Sequence, residues 1–185
     1  MLSPSTEAYA DCNESLADDS VANENTGKDA KACTDVPVLR RAAMDYLARR
    51  EHSFFELTQK LQKRFADTDA ELLHEVVASL RQENLQSDAR FAESYARYRT
   101  SRGFAYQHIK ADLSARRVSD ELIDTYLDMD AEHWQHTADQ LISKKHRDGG
   151  PISYGSKVHR KLSRFLESRG FTVLQIRKAL EKHLD

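Results

Sequence analysis

Cations are the residues of this chain whose type and spacing could do chemistry. Lys157, Arg160, Lys161 and Arg164 recur at i, i+3, i+4 and i+7, which gathers four positive charges on one face of a helix. The opposite face carries Val158, Leu162, Phe165 and Leu166, so one side reads as core and the other as a row of cations. Lys144, Lys145, Arg147, Arg169, Arg177 and Lys178 extend the row, giving ten bases against two acids between residues 144 and 178. A second group, Arg97, Arg99, Arg102, Lys110, Arg116 and Arg117, lies in the middle of the chain. A local, one-signed excess of this kind can neutralise phosphates or meet an acidic protein surface. A plain solvated helix face is the alternative.

Other chemistries find little support. The chain has no GxxxxGK[ST], GxGxxG, GxSxG or HExxH pattern, so nothing in it reads as an enzyme. His133 and His136 beside Glu132 share a helix face, but no third ligand cluster is near in sequence, and surface histidines are the plainer reading. Cys12 and Cys33 form no CxxC pair, so no structural zinc, disulfide framework or cofactor is expected. Phe91, Tyr95 and Tyr98 fall on one helical stripe and are expected in the core, whereas Tyr106 and Tyr154 are freer to be exposed.

The elements that must position these cations are helices. With 21 Ala and 19 Leu against 8 Val and 5 Ile, and only 6 Gly and 3 Pro, sheets and tight hairpins are disfavoured. No apolar run approaches a membrane span and no secretory signal is visible, so a soluble, cytoplasmic protein is expected. Residues 1–36 hold eight acids and two bases and show no helical stripe; they read as a disordered acidic tail. The remainder carries a net charge of +4 and all eight histidines.

That remainder is a repeat. Ile109, Leu113, Ser119, Ile123 and Leu127 reappear 53 residues later as Leu162, Leu166, Thr172, Ile176 and Leu180. Leu57 and Leu61 lie 52 residues earlier and, after one inserted residue, Thr68, Leu72, Val76 and Leu80 follow. An amphipathic segment precedes each pair. Three three-helix units are therefore predicted, over 38–86, 87–129 and 130–185, with hinges near 85–88 and 128–131 and a Gly-Gly-Pro loop near 148–152. Ser53–Glu56, Thr68–Glu71 and Thr172–Gln175 have capping-box spacing; Ser87 and Ser119 also read as caps. Units of about 50 residues are marginal alone, and stacking would join them into an elongated, curved rod.

Three segments together resemble the RecX family of bacterial recombination regulators. They are Leu47-Ala-Arg-Arg-Glu-His-Ser-Phe-Phe-Glu-Leu57 with Lys60-Leu61, Asp88-Ala-Arg-Phe-Ala-Glu-Ser-Tyr95 with Arg97, Arg99 and Arg102-Gly-Phe104, and Arg164-Phe-Leu-Glu-Ser-Arg-Gly-Phe171. The resemblance covers residues 38–185. It implies an all-α protein of tandem three-helix repeats that acts without catalysis. It implies binding to RecA, in the groove of the RecA–single-stranded DNA filament, with inhibition of its recombinase, ATPase and coprotease activities and a part in DNA repair and the SOS response. A monomer with weak DNA affinity of its own fits that reading. A stand-alone helical nucleic-acid-binding protein is the alternative, and a generic helical scaffold a third.

Overall fold

The structure is a computed structural model that describes residues 35–127, 130–147 and 149–184. The expected acidic tail up to residue 34, with Cys12 and Cys33, lies outside the described residues, as do Asp128 and Met129 of the second expected hinge and Asp148 of the expected loop.

The described residues form nine helices and no strand. They are α1 (Val36–Arg49), α2 (Phe54–Arg64), α3 (Ala70–Gln82), α4 (Asp88–Ser101), α5 (Tyr106–Ala115), α6 (Asp120–Tyr126), α7 (Ala131–Lys145), α8 (Lys157–Glu167) and α9 (Val173–Glu181). Helix α1 begins two residues before residue 38, because Pro37 sits in its first turn, where a missing N–H costs nothing. Within each consecutive set of three, helices pack on one another: α1, α2 and α3; α4, α5 and α6; α7 and α8 on α9.

Caps set the helix starts. Ser53, Ser87 and Ser156 accept the N–H three residues on, and Thr172 with Gln175 makes a full capping box. Two expected boxes are corrected. Glu56 leaves the Ser53 cap to bind Arg50 and His52. Asp69, rather than Thr68, caps α3: it stands immediately before the helix, and its carboxylate accepts the Glu71 N–H at 3.2 Å. Ser119 precedes α6 but makes no side-chain cap bond; instead its hydroxyl holds the Glu121 carboxyl below the usual range.

Two apolar cores result. Leu39, Leu57, Leu61, Leu73, Val77 and Leu80 lie at the centre of the α1–α3 core. A second core runs continuously from Phe91, Ile109 and Leu113 through Trp134 and Ile142 to Leu162, Leu166 and Phe171. Tyr98, placed in the core by its stripe, is exposed. Val158, also assigned to an apolar face, is exposed as well, since it falls in the first turn of α8 before the helix meets its neighbours.

The triplets are joined by one device used twice. The residue that caps the middle helix of one triplet touches the turn that ends the middle helix of the next. Ser53 donates its hydroxyl to the Arg116 carbonyl at 3.0 Å. Ala105, the equivalent N-cap, donates its N–H to the Arg169 carbonyl at 2.7 Å. Arg116 and Arg169 are 53 residues apart, the repeat spacing itself. Both turns close alike: the Val118 N–H meets the Leu113 carbonyl and the Phe171 N–H meets the Leu166 carbonyl, each at 3.2 Å. The closure needs a left-handed residue, supplied by Arg117 (φ 56°) and Gly170 (φ 84°). At Gly170 no side chain fits, because a Cβ would lie 2.4 Å from the His108 nitrogen. Arg117 has room, and its guanidinium lies 4.4 Å from the Phe55 ring centroid of the preceding triplet.

Residues 85–88, expected as a hinge, are held by side chains. Gln86 is buried and donates to the His52 carbonyl at 3.2 Å and to Asp88 at 3.1 Å. Asp88 also accepts the Phe54 N–H at 2.8 Å, and Arg90 bridges Glu51 at 2.7 Å and the Leu85 carbonyl at 3.0 Å.

Candidate functional site

The fourteen basic residues singled out from the sequence separate into three groups once their surroundings are known. The first group is built into the fold. Arg99 is only 5 % exposed. It donates to Asp112 through Nε at 3.1 Å and through its terminal nitrogen at 2.6 Å, and to the Tyr95 hydroxyl at 3.0 Å. Arg116 sits half-buried, its guanidinium 4.9 Å from the Tyr95 ring centroid and donating to the Asp112 carbonyl at 2.7 Å. Arg169 donates to the Arg102 carbonyl at 2.8 Å.

These residues belong to an alternating ladder of cations and rings that crosses from the third triplet into the second. Lys145 lies over Phe165 at 4.1 Å, and Arg169 over Phe165 at 4.6 Å and Phe104 at 4.9 Å. Arg99 follows over Phe104 at 4.3 Å and Tyr95 at 5.5 Å, and Arg116 over Tyr95 ends it. Such a contact is worth about 0.5–1 kcal/mol where the cation is exposed, as at Lys145, and about 2 kcal/mol where it is desolvated, as at Arg99. Asp112 supplies the counter-charge. Burial pushes its carboxyl up, but hydrogen bonds from His108, Tyr95 and Arg99 outweigh that and hold it well below the usual range. Burial and the bond to Asp112 push the Tyr95 phenol up to about 12. Packing and internal bonds thus engage the guanidinium groups of Arg99, Arg116 and Arg169, and Arg117, although exposed, lies against the Phe55 ring.

The second group is paired, with Arg97 exposed and Lys110 half-buried. Arg97 bonds Glu93 one turn back. Lys110 reaches Asp124 at 3.8 Å and the Tyr106 ring at 5.8 Å.

The third group is exposed and lies mostly in the third triplet: Arg102, Lys144, Arg147, Lys157, Arg160, Lys161 and Arg164. Lys144, Lys157, Arg160, Lys161 and Arg164 make no ion pair among the described residues. On α8 the four cations stand opposite Leu162 and Leu166, which are buried. No acid occupies the first turn of α8, so Lys157 sits uncompensated at the positive end of its helix. The Phe165 ring links α8 to the last turn of α7 through Lys145. The structure thus leaves the four α8 cations on one exposed face and draws Arg99 and Arg116 of the middle group together at Asp112 and Tyr95.

Candidate metal ligands do not assemble. His136 contacts the Gln140 amide at 2.8 Å, and the His133 ring meets Trp134 edge-on. No group of three His, Cys, Asp or Glu side chains with ligand geometry occurs among the described residues. No helix among them is long and apolar enough to cross a membrane.

Two features escaped the sequence reading. The Tyr95–Arg99–Asp112–His108 cluster unites α4 with α5; the spacing of Tyr95 to Arg99 and of His108 to Asp112, both i, i+4, was the available signal. At the start of α9, Val173 and Leu174 are exposed, outside the capping box that positions the helix.

Residues 87–127 match the family described as RecX, second three-helix domain. The regulatory protein RecX of Pseudomonas entomophila is 36 % identical over 150 residues, covering 80 % of this chain and 94 % of that protein. The regulatory protein RecX of Chromohalobacter salexigens is 38 % identical over 141 residues, covering 76 % and 90 %. The crystal structure of RecX from Lactobacillus salivarius superposes with a TM-score of 0.59 at 20 % identity, over 80 % of this chain and 95 % of that one, and shows the same fold.

Proposed function

The chain belongs to the RecX family of regulatory proteins, and from that premise we propose that it regulates RecA, binding the RecA–single-stranded DNA filament and restraining its activities without catalysis of its own. The observation that carries the choice of surface is the row of unpaired cations on α8, Lys157, Arg160, Lys161 and Arg164. A nucleoprotein filament presents phosphates and acidic protein side chains together, and a one-signed face is attracted to both. The cation–ring ladder ties that face to the second triplet through Phe165, Arg169 and Phe104. Several weak contacts held at set spacing raise avidity without any single strong site.

The test is ATP hydrolysis by RecA on single-stranded DNA, titrated with this protein well below the RecA concentration. Hydrolysis is expected to fall, and to stay low when DNA is added in excess. Reversal of Lys157, Arg160, Lys161 and Arg164 to Glu is expected to weaken that inhibition at least tenfold with helicity by circular dichroism unchanged. Inhibition that vanishes simply on adding DNA would replace the reading with competition for the strand.

A further inference from the structure

The last helix of each triplet starts after an equivalent N-cap: Asp69 before α3, Ser119 before α6 and Thr172 before α9. The residues one, two, five and six places after each cap are neighbours on one two-turn helix face. All of them are exposed in every triplet. On α3 they are Ala70, Glu71, His74 and Glu75, and on α6 they are Asp120, Glu121, Asp124 and Thr125, the composition of a solvated face. On α9 they are Val173, Leu174, Arg177 and Lys178. Val173 is 83 % exposed and Leu174 52 %. Arg177 reaches Glu181 on its own helix at 3.3 Å, and Lys178 makes no ion pair among the described residues. The third triplet thus keeps the position of this face and changes its chemistry: an apolar first turn, then a cationic second one.

A complement to that face lies on α6 itself. Asp120 and Glu121 occupy its first turn, and Tyr126 is exposed at its end. Lys110 stands 3.8 Å from Asp124 and offsets that carboxylate, while Asp120 and Glu121 make no ion pair among the described residues. Laid antiparallel, α6 and α9 match end for end. The acids at the start of α6 meet Arg177 and Lys178, and Tyr126 at its end meets Val173 and Leu174. A parallel arrangement would set the acids against the apolar turn. Within one chain no ion pair joins the two faces among the described residues, so the match is available between copies. A phosphate backbone would answer the cations and leave Val173 and Leu174 in water.

We infer that the outer face of α9 is a docking site for α6 of a second copy of this chain. Two helical turns offer far less than the roughly 1,200 Å² that a stable interface buries. The contact is therefore weak in free solution and gains strength where copies are held side by side. Side-by-side placement on a filament rests on the reading above; the contact itself does not.

The experiment is sedimentation equilibrium of the full chain without RecA, at concentrations up to about 1 mM. The weight-average mass is expected to rise above that of the monomer and to fall back as salt is added. Arg177→Glu/Lys178→Glu and Asp120→Lys/Glu121→Lys, each alone, are expected to weaken self-association at least tenfold, because like charges then face each other. An equimolar mixture of the two variants is expected to regain it, since every contact between unlike partners again joins acid to base. Leu174→Ser leaves every charge and both caps in place; it is expected to weaken self-association with helicity by circular dichroism unchanged. A parent chain that stays monomeric at the highest concentration would overturn the site. So would a mixture of folded variants that fails to associate, or a Leu174→Ser variant that associates as the parent does. Loss of RecA inhibition in Arg177→Glu/Lys178→Glu, with self-association as in the parent, would give the face to the filament instead.

Discussion

Arg99 and Asp112 are the residues on which the second triplet turns. A buried guanidinium needs a counter-charge, and Asp112 supplies it at 2.6 Å while also accepting the Tyr95 hydroxyl at 2.7 Å. Removing one partner of such a pair leaves the other charged and desolvated, at a cost of about 3 kcal/mol. Asp112→Asn is therefore expected to lower unfolding stability by about that amount at neutral pH, measured by urea denaturation. The same variant has a pH signature. The folded Asp112 carboxyl is held below its ordinary 3.8. Its stabilisation is thus fully present above that value and is lost as pH falls through the depressed folded value. The gap between parent and variant is expected to narrow as pH drops below about 4, and a gap constant across that range would exclude the pairing. Little of this was legible beforehand. The sequence reading put Arg99 among surface cations because a charge stripe carries no information on a partner 13 residues away across a turn. Lys157, Arg160, Lys161 and Arg164 were legible because their apolar opposite face lies on the same helix, and local periodicity alone reports it.

At the level of elements, the turn after each middle helix decides how triplets meet. Gly170 combines a left-handed backbone with contact against the His108 backbone, while Gly155 has a similar φ and open space around it. The pair separates strain from collision. Gly155→Ala is expected to cost about 1 kcal/mol from backbone strain alone. Gly170→Ala is expected to cost at least twice that and to loosen the Ala105–Arg169 bond, both read from thermal midpoints and amide exchange at Ala105. The repeat register was visible in the sequence down to the spacing of 53, since apolar positions and caps recur together. The one-residue insertion in the first triplet was visible too. What the register could not give was the docking edge, because the atoms that meet there are largely backbone: carbonyls at Arg116 and Arg169, a hydroxyl at Ser53, an N–H at Ala105. Those groups exist in every sequence, and only the fold aligns them. The same reason explains the misplaced cap at α3, where Thr68 and Asp69 both suit the role and the chain path chooses between them.

Over the described chain, the two apolar cores differ in extent. The α1–α3 core is small and self-contained, whereas one continuous core serves α4 to α9. Between them stand polar contacts: Ser53 with Arg116, Gln86 with His52, Arg90 with Glu51, and Arg117 on Phe55. Polar links at a partly solvated boundary hold position and add little cooperativity. Native-state hydrogen exchange is expected to show α1–α3 opening as one unit at lower free energy than α4–α9, which should open together. A single exchange isotherm for all nine helices would contradict a divided core.

The duplicated junction also limits growth. Any arrangement in which each unit offers a plug and a socket of the same form is, in principle, a monomer of an open polymer. Counting 53 residues on from Ala105 reaches Val158, the place where the third triplet would offer its socket. There the helix starts earlier than the register of α5 predicts, capped by Ser156, so the linking position falls within the first turn of α8. Tyr154 and Lys157 stand around it. The early start of α8 thus alters the edge that a fourth triplet, or the first triplet of another molecule, would meet: the flank of a helix in place of the residue that precedes one. The ring and the charges that remain at that end are free for a ligand of a different kind.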